Sequence, residues 1–145
     1  MSLNFKPSPA QKSSVVKFHS PNPGYAEVSS ASLDKLWQNK KTGCSISYLS
    51  DCNNPTDPSL QNIFKGITSE IESVSVISSS FIEYNYREAL RSIVEGRIDG
   101  VSTRFELVIF KKNSCTYILT YAATTNAFSN EKPIFNHFVE MFRVP

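Results

Sequence analysis

The residue types that usually carry chemistry are few and scattered. His19 and His137 are the only histidines. Neither stands at metal-ligand spacing from a cysteine or carboxylate, and CxxC and HExxH are both absent. The five glycines occur singly, so no GxGxxG or Walker loop can cradle a phosphate, and no GxSxG presents a nucleophile. Cys44 with His137 as base is the one thiolate pairing on offer. Yet Cys44 alternates with Ile46 and Tyr48 on the apolar face of a strand pattern, which reads as a buried structural cysteine. The expectation is a protein without catalytic residues, metal or cofactor: not an enzyme.

Two further groups of residues carry more information. Cys52 follows the end of a strand pattern and Cys115 opens one just after a turn. Sulfurs at such boundaries meet across neighbouring strands, so a Cys52–Cys115 disulfide is expected, with Cys44 free. Three reduced thiols in a cytosolic protein are the alternative. The second group is Arg87, Arg91, Glu95 and Arg104, with Tyr84 and Tyr86 near a turn. It reads either as a basic and aromatic patch for an anionic or peptide partner, another protein being the partner expected, or as a solvated or helix-edge ion-pair cluster.

These residues are positioned by Phe81–Ala123, three strand patterns joined by short turns. Asp99-Gly100 is a two-residue hairpin signal, because both central positions of that turn need positive φ. It sets the register: Ile98 faces Val101, Val94 faces Phe105, Ser92 faces Leu107 and Leu90 faces Ile109. On the other face Glu95 lies opposite Arg104 and Arg97 opposite Ser102. A three-residue loop after Lys111 places Leu119 against Leu107 and Tyr121 against Phe105.

Elsewhere the patterns are shorter. Residues 1–14 read as a flexible leader or tether, and 15–145 as a single domain. Val15–Phe18 is a short edge strand by composition, and Tyr25–Val28 another. A strand ending near Trp37 turns at residues 39–43 into Cys44–Leu49. Thr56 or Asp57 caps a helix with Pro58 in its first position, and Leu60, Ile63, Phe64, Ile67 and Ile71 form its apolar face. Val74–Ile77 and Phe81–Tyr84 are strands with a kink or bulge in Ser78-Ser79-Ser80. The last helix has Ser129 as cap, Glu131 in its first turn, and a stripe of Ile134, Phe135, Phe138, Val139 and Phe142. Both sheet faces carry apolar residues and two amphipathic helices are available. The fold expected is therefore α+β: an antiparallel sheet with helices packed on its two faces.

Composition narrows the function classes. Hydrophobic residues make up 40% and charged residues 19%, the latter below the usual share of about 25%. Ser, Thr and Asn fill the difference. A net charge of +2 with no basic stripe argues against nucleic acid as partner. No stretch has the apolar length of a transmembrane helix. The start, MSLNFKPSPAQKSS, lacks the apolar run of a signal peptide.

Four segments, LWQNKKTGCSISYLSDC, NYREALRSIVEGRIDG, VIFKKNSCTYILTYAA and PIFNHFVEMF, resemble a family of uncharacterised bacterial exported proteins and lipoproteins with the PsbP/Mog-like fold. The resemblance covers Leu33 to Phe142, and its motifs are structural. It implies an α/β/α sandwich and, because relatives of the fold are mostly adaptors, a binding or scaffold role in the bacterial cell envelope. The implied location is the periplasm or a lipid tether at the outer membrane. A cytosolic adaptor or secretion-accessory protein of the same fold is the alternative, and a small enzyme with an unrecognised site is the third reading.

Overall fold

Asp99 and Gly100 adopt φ of 50° and 78°, and fold Arg87–Ile98 back on Val101–Lys112 with Ile98 opposite Val101. The same device closes two neighbouring hairpins. Asn85 and Tyr86 have φ of 51° and 63°, and Asn113 and Ser114 have φ of 54° and 67°. Two-residue turns with positive φ match the right-handed twist of the strands they join.

The computed structural model describes residues 11–145. In chain order the elements are β1 (Ala26–Val28), β2 (Lys35–Gln38), β3 (Ser45–Cys52), α1 (Leu60–Thr68), β4 (Glu72–Tyr84), β5 (Arg87–Ile98), β6 (Val101–Lys112), β7 (Cys115–Thr124) and α2 (Phe128–Met141). The strands form one antiparallel sheet in the order β1-β2-β3-β7-β6-β5-β4. The last strand in sequence therefore lies in the middle of the sheet, between β3 and β6.

The predicted β5–β6 register is the observed one, including Glu95 opposite Arg104. The β6–β7 register is not. The turn has two residues, so Lys112 pairs with Cys115, Thr120 faces Leu107 and Ala122 faces Phe105. A one-residue slip moves every side chain to the other face. Leu119 and Tyr121 accordingly belong to the opposite side of the sheet from Leu107 and Phe105.

That side is covered by α2. Phe135, Phe138, Val139 and Phe142 pack there with Trp37, Ile46, Tyr48, Phe110, Tyr117, Leu119 and Tyr121. Ring contacts include Trp37–Phe138 at 5.4 Å and Tyr48–Phe142 at 5.0 Å. On the other face Ile67 and Ile71 pack with Val94, Phe105, Leu107, Ile109, Ile118 and Ala122. Ile71 does so from beyond the end of α1. A Cβ on Gly96 would collide with Ile71 Cγ2 and lie 2.8 Å from the Glu72 carbonyl. Glycine is what lets the chain cross there.

Several boundaries differ from the sequence expectation. Ser59 caps α1 by accepting from the Asn62 N–H at 3.1 Å, and Pro58 precedes the cap. Asp57 instead pairs with Lys111 at 2.6 Å. Strand β4 is continuous through Ser78-Ser79-Ser80. Its irregularities lie between Glu72 and Ser75 and between Val76 and Ser78, the first at Ser73 with φ of 54°. Helix α2 begins before Ser129, at Phe128, with Ala127 as an N-cap that makes no side-chain bond. Val15–Phe18 is not a strand; Lys17 makes an isolated bridge to Arg143 while Val16 and Phe18 pack on the α2 side.

Of the expected leader, residues 1–10 lie outside the described residues, and the rest is held to the sheet. The Cys52 N–H donates to the Gln11 carbonyl at 2.8 Å, and Lys12 reaches Asp34 at 3.3 Å.

Candidate functional site

Cys52 and Cys115 stand directly opposite each other where β3 and β7 pair, and they form the expected disulfide. Cys44 is the free cysteine and is fully buried. His137 is exposed on α2 and is not among the groups acting on Cys44, which are Thr42, Glu131 and Tyr121. Burial pushes the Cys44 thiol up, so it stays protonated and is a poor nucleophile.

The same pocket of the core holds Glu131, which lies in the first turn of the last helix as the sequence reading expects but is buried, which that reading did not foresee. Glu131 is buried beneath the first turn of α2 and accepts from Asn39 Nδ2 at 3.1 Å. Burial alone would raise its pKa. The polar side chains around it, Thr42, Tyr25, Cys44 and Asn39, outweigh this and hold the carboxyl below its ordinary value; Asn39 makes the hydrogen bond to Oε1, while Oε2 and the Tyr25 hydroxyl have no hydrogen-bond partner among the described residues. Tyr25 opposite it is pushed far up, first by burial and then by the facing Glu131. Glu131 lies one turn before Phe135 on the apolar stripe, and that spacing was the available signal.

Glu106 is a second buried carboxylate, 2% exposed in the middle of β6. Arg91 Nε donates to one oxygen at 2.7 Å and Lys132 Nζ to the other at 2.8 Å. Arg91 also donates to Asn136 Oδ1 at 2.9 Å. A lone Glu in the apolar run FELVIF was its signal.

The six residues read as one constellation are distributed along the α2 side of the β5–β6 ladder and the adjoining turn. Arg104 pairs with Glu95 at 3.1 Å and lies 5.5 Å from the Phe128 ring centroid, at one end of α2. Arg91 is engaged with Glu106 in the middle. Tyr84 donates to the Val139 carbonyl at 2.6 Å near the other end, and burial pushes its hydroxyl far up. Arg91, Glu95 and Arg104 therefore do not converge on one site.

Tyr84, Tyr86 and Arg91 do come together. With Asn136, Glu140 and Arg143 they line a cleft of about 470 Å³ between the β4–β5 turn and the C-terminal end of α2. Tyr86 is 84% exposed at the tip of that turn. Its ring lies 5.4 Å from Lys112 Nζ, and Arg87 donates to its carbonyl at 3.0 Å. Arg87 and Lys112 also border the neighbouring cleft of about 500 Å³ beside the disulfide, which Asp51, Asn53, Asn113 and Ser114 help to line. One end of the sheet thus presents an exposed aromatic ring between two cations and two polar clefts.

The fold is PsbP-like. The solution structure of cyanobacterial PsbP (CyanoP) from Synechocystis sp. PCC 6803 is similar over 100% of this chain and 98% of its own, with a TM-score of 0.67 and 11% identity. LpqN of Mycobacterium tuberculosis, a protein involved in cell envelope biogenesis, is similar over 94% of this chain and 85% of its own, with a TM-score of 0.63 and 10% identity. A Pseudomonas aeruginosa protein of unknown function matches over 82% of this chain and 80% of its own, with a TM-score of 0.54 and 10% identity. No family model matches the chain, and no curated protein matches it.

The cations at the sheet end that carries Tyr86 are held by hydrogen bonds to carbonyls and carboxylates, and the Tyr86 ring is presented to solvent. Among the described residues no group of three His, Cys, Asp or Glu is placed to hold a metal ion. No helix among them is long and apolar enough to cross a membrane.

Proposed function

We propose that this chain is a non-catalytic binding module of the bacterial cell envelope that docks a protein partner through the sheet end carrying Tyr84, Tyr86, Arg87 and Arg91. The observation that carries the reading is Tyr86. A bulky residue at φ of 63° is held in a left-handed conformation that costs on the order of 1–2 kcal/mol. Its ring gains little in return within the chain, being 84% exposed. Tyrosine and arginine are over-represented among the residues that dominate protein interfaces. The cations beside the ring suit a partner with carbonyl or carboxylate oxygens around an apolar pocket.

The envelope location is supported by the Cys52–Cys115 disulfide, since disulfides persist in oxidising compartments. It is also supported by the likeness of the fold to LpqN. An anchor of the lipoprotein kind upstream of residue 1 fits the same reading.

The test is proximity crosslinking in the native cells from a photoreactive group placed next to Tyr86. A single protein species should be captured. Its yield should fall at least about tenfold with Tyr86→Ala and with Arg87→Ala while the melting temperature stays within a few degrees. Undiminished capture by both variants would overturn the docking surface. Recovery of all three cysteines as reduced thiols from cells alkylated before lysis would overturn the compartment.

A further inference from the structure

Asn85 and Tyr86 are the two central residues of the β4–β5 turn, at φ of 51° and 63°. A two-residue turn of this kind needs positive φ at both positions and favours Asn-Gly. Asparagine suits the first position. Tyrosine does not suit the second, because bulky side chains are outliers in the left-handed region. A residue held there persists only where its surroundings over-determine its conformation. For Tyr86 those surroundings are residues 142–145, which follow α2.

The side-chain amide of Asn85 is bonded at both of its ends to that segment's backbone. Its Nδ2 donates to the Phe142 carbonyl at 3.2 Å, and its Oδ1 accepts from the Val144 N–H at 3.0 Å. These two backbone groups flank Arg143. The Arg143 N–H donates to the Lys17 carbonyl at 2.8 Å, and its carbonyl accepts from the Lys17 N–H at 2.9 Å. Phe142 and Val144 are buried in the core on the α2 side, so the segment is fixed independently of the turn. Neighbouring bonds reinforce the attachment. Tyr84, the residue before Asn85, donates to the Val139 carbonyl at 2.6 Å, and Asn113 in the next turn donates to the Pro145 carbonyl at 3.0 Å. Lys112 Nζ, which lies 5.4 Å from the Tyr86 ring centroid, donates to the Asn85 carbonyl at 2.9 Å. Asn85 is thus held through both its amide and its carbonyl, and the Tyr86 ring projects from the turn so fixed.

We infer that residues 142–145 act as a strap, and that Asn85 is the positioning residue through which the strap keeps Tyr86 at positive φ and sets where its ring stands. The conformational part of the inference stands on these hydrogen bonds. Its consequence for binding rests on the reading of Tyr86 as a docking residue. A partner then meets a ring already in place, and a surface ordered in advance loses less freedom on association.

The experiment reads conformation and docking separately. Positive φ brings a residue's amide proton and Hα close together, so the intense NOE between them reports the state of Tyr86 by NMR. Deletion of residues 143–145 removes the strap beyond Phe142 and leaves the turn sequence intact. Asn85→Gly removes the amide; glycine there admits a type II′ turn, in which the second residue relaxes to negative φ and the hairpin keeps its length. Gly96→Ala is the control, since it destabilises the sheet toward the other end of β5, at Ile71 and Glu72. The two strap variants should lose the Tyr86 signal and reduce partner capture by proximity crosslinking about tenfold, and Gly96→Ala should keep both. Retention of the signal in either strap variant overturns the inference. So does its loss in Gly96→Ala, because general instability is then the cause. Loss of the signal with undiminished capture overturns the role in docking if Tyr86→Ala does reduce capture, and the docking reading itself if it does not.

Discussion

Arg91 and Glu106 are diagonal neighbours across the β5–β6 ladder, joined by a 2.7 Å Nε–Oε2 contact under the flank of α2. The carboxylate is 2% exposed, and the guanidinium is 26% exposed and faces the cleft that Tyr84 and Tyr86 line. The contact thus ties a buried charge in the middle of the sheet to the wall of the proposed interface.

Glu106→Ala should therefore destabilise the fold by about 2–4 kcal/mol, somewhat less than for a fully buried pair because Arg91 and Lys132 both reach water. Arg91→Ala and Lys132→Ala should each cost less than this. Their double variant should cost more than the sum, because the second loss leaves Glu106 with no cation. Urea titrations of the four proteins measure the coupling; strict additivity would show that the three charges do not act together.

Glu131 predicts the shape of the acid limb of stability. Its folded value lies below the unfolded one. Its contribution is thus complete above the ordinary glutamate value of about 4.3 and is lost as the pH falls through the folded value. Glu131→Gln should lower stability at neutral pH and flatten the loss on acidification below about pH 4.5. Thermal melts from pH 7 to pH 3 test this. Parallel profiles for the two proteins would exclude the carboxylate as the source.

The disulfide closes a separation of 63 residues. On the chain-entropy model that constrains the unfolded state by about 4 kcal/mol. The Cys52→Ser/Cys115→Ser variant should lose stability of that order without a change in fold. Alkylation of the unreduced, denatured protein should label one thiol, Cys44, and labelling after reduction should reach all three.

Gly96→Ala tests the crossing of Ile71 and the first residues of β4. The added methyl group meets Ile71 Cγ2 and the Glu72 carbonyl, and overpacking of this kind costs about 1–3 kcal/mol. Gly96→Ala should cost less in an Ile71→Ala background than in the wild type, since the Cγ2 that meets the new methyl is then absent while the contact with the Glu72 carbonyl remains.

What the sequence made legible follows the range of the interactions. Asp99-Gly100 announces its turn in two residues, and the whole β5–β6 register follows from it. Asn113-Ser114 makes a turn of the same kind, but serine carries no preference for positive φ. The loop was read one residue too long, which put Leu119 and Tyr121 on the wrong face. The disulfide was readable because both cysteines mark strand ends. The Tyr25–Cys44–Glu131 cluster was not, since its members come from three separate parts of the chain and only the assembled core brings them together. The Arg–Glu constellation was legible as residue types on one face of a strand. Its dispersal along the length of that strand was not, because Glu106 claims Arg91 in the middle.

The position of β7 imposes an order on the birth of the molecule. Strands β1 to β3 emerge first from the site of synthesis or export, but the partner of β3 is the last strand made. Until Cys115 and the residues after it are available, β3 offers an unpaired edge and Cys52 an unpaired thiol. The hairpins of β4, β5 and β6 can assemble locally in the meantime, as short-range contacts form early. The β6–β7 hairpin is equally local, so the pairing of β3 with β7 is the long-range step of the sheet, and the disulfide joins the two strands that this step brings together.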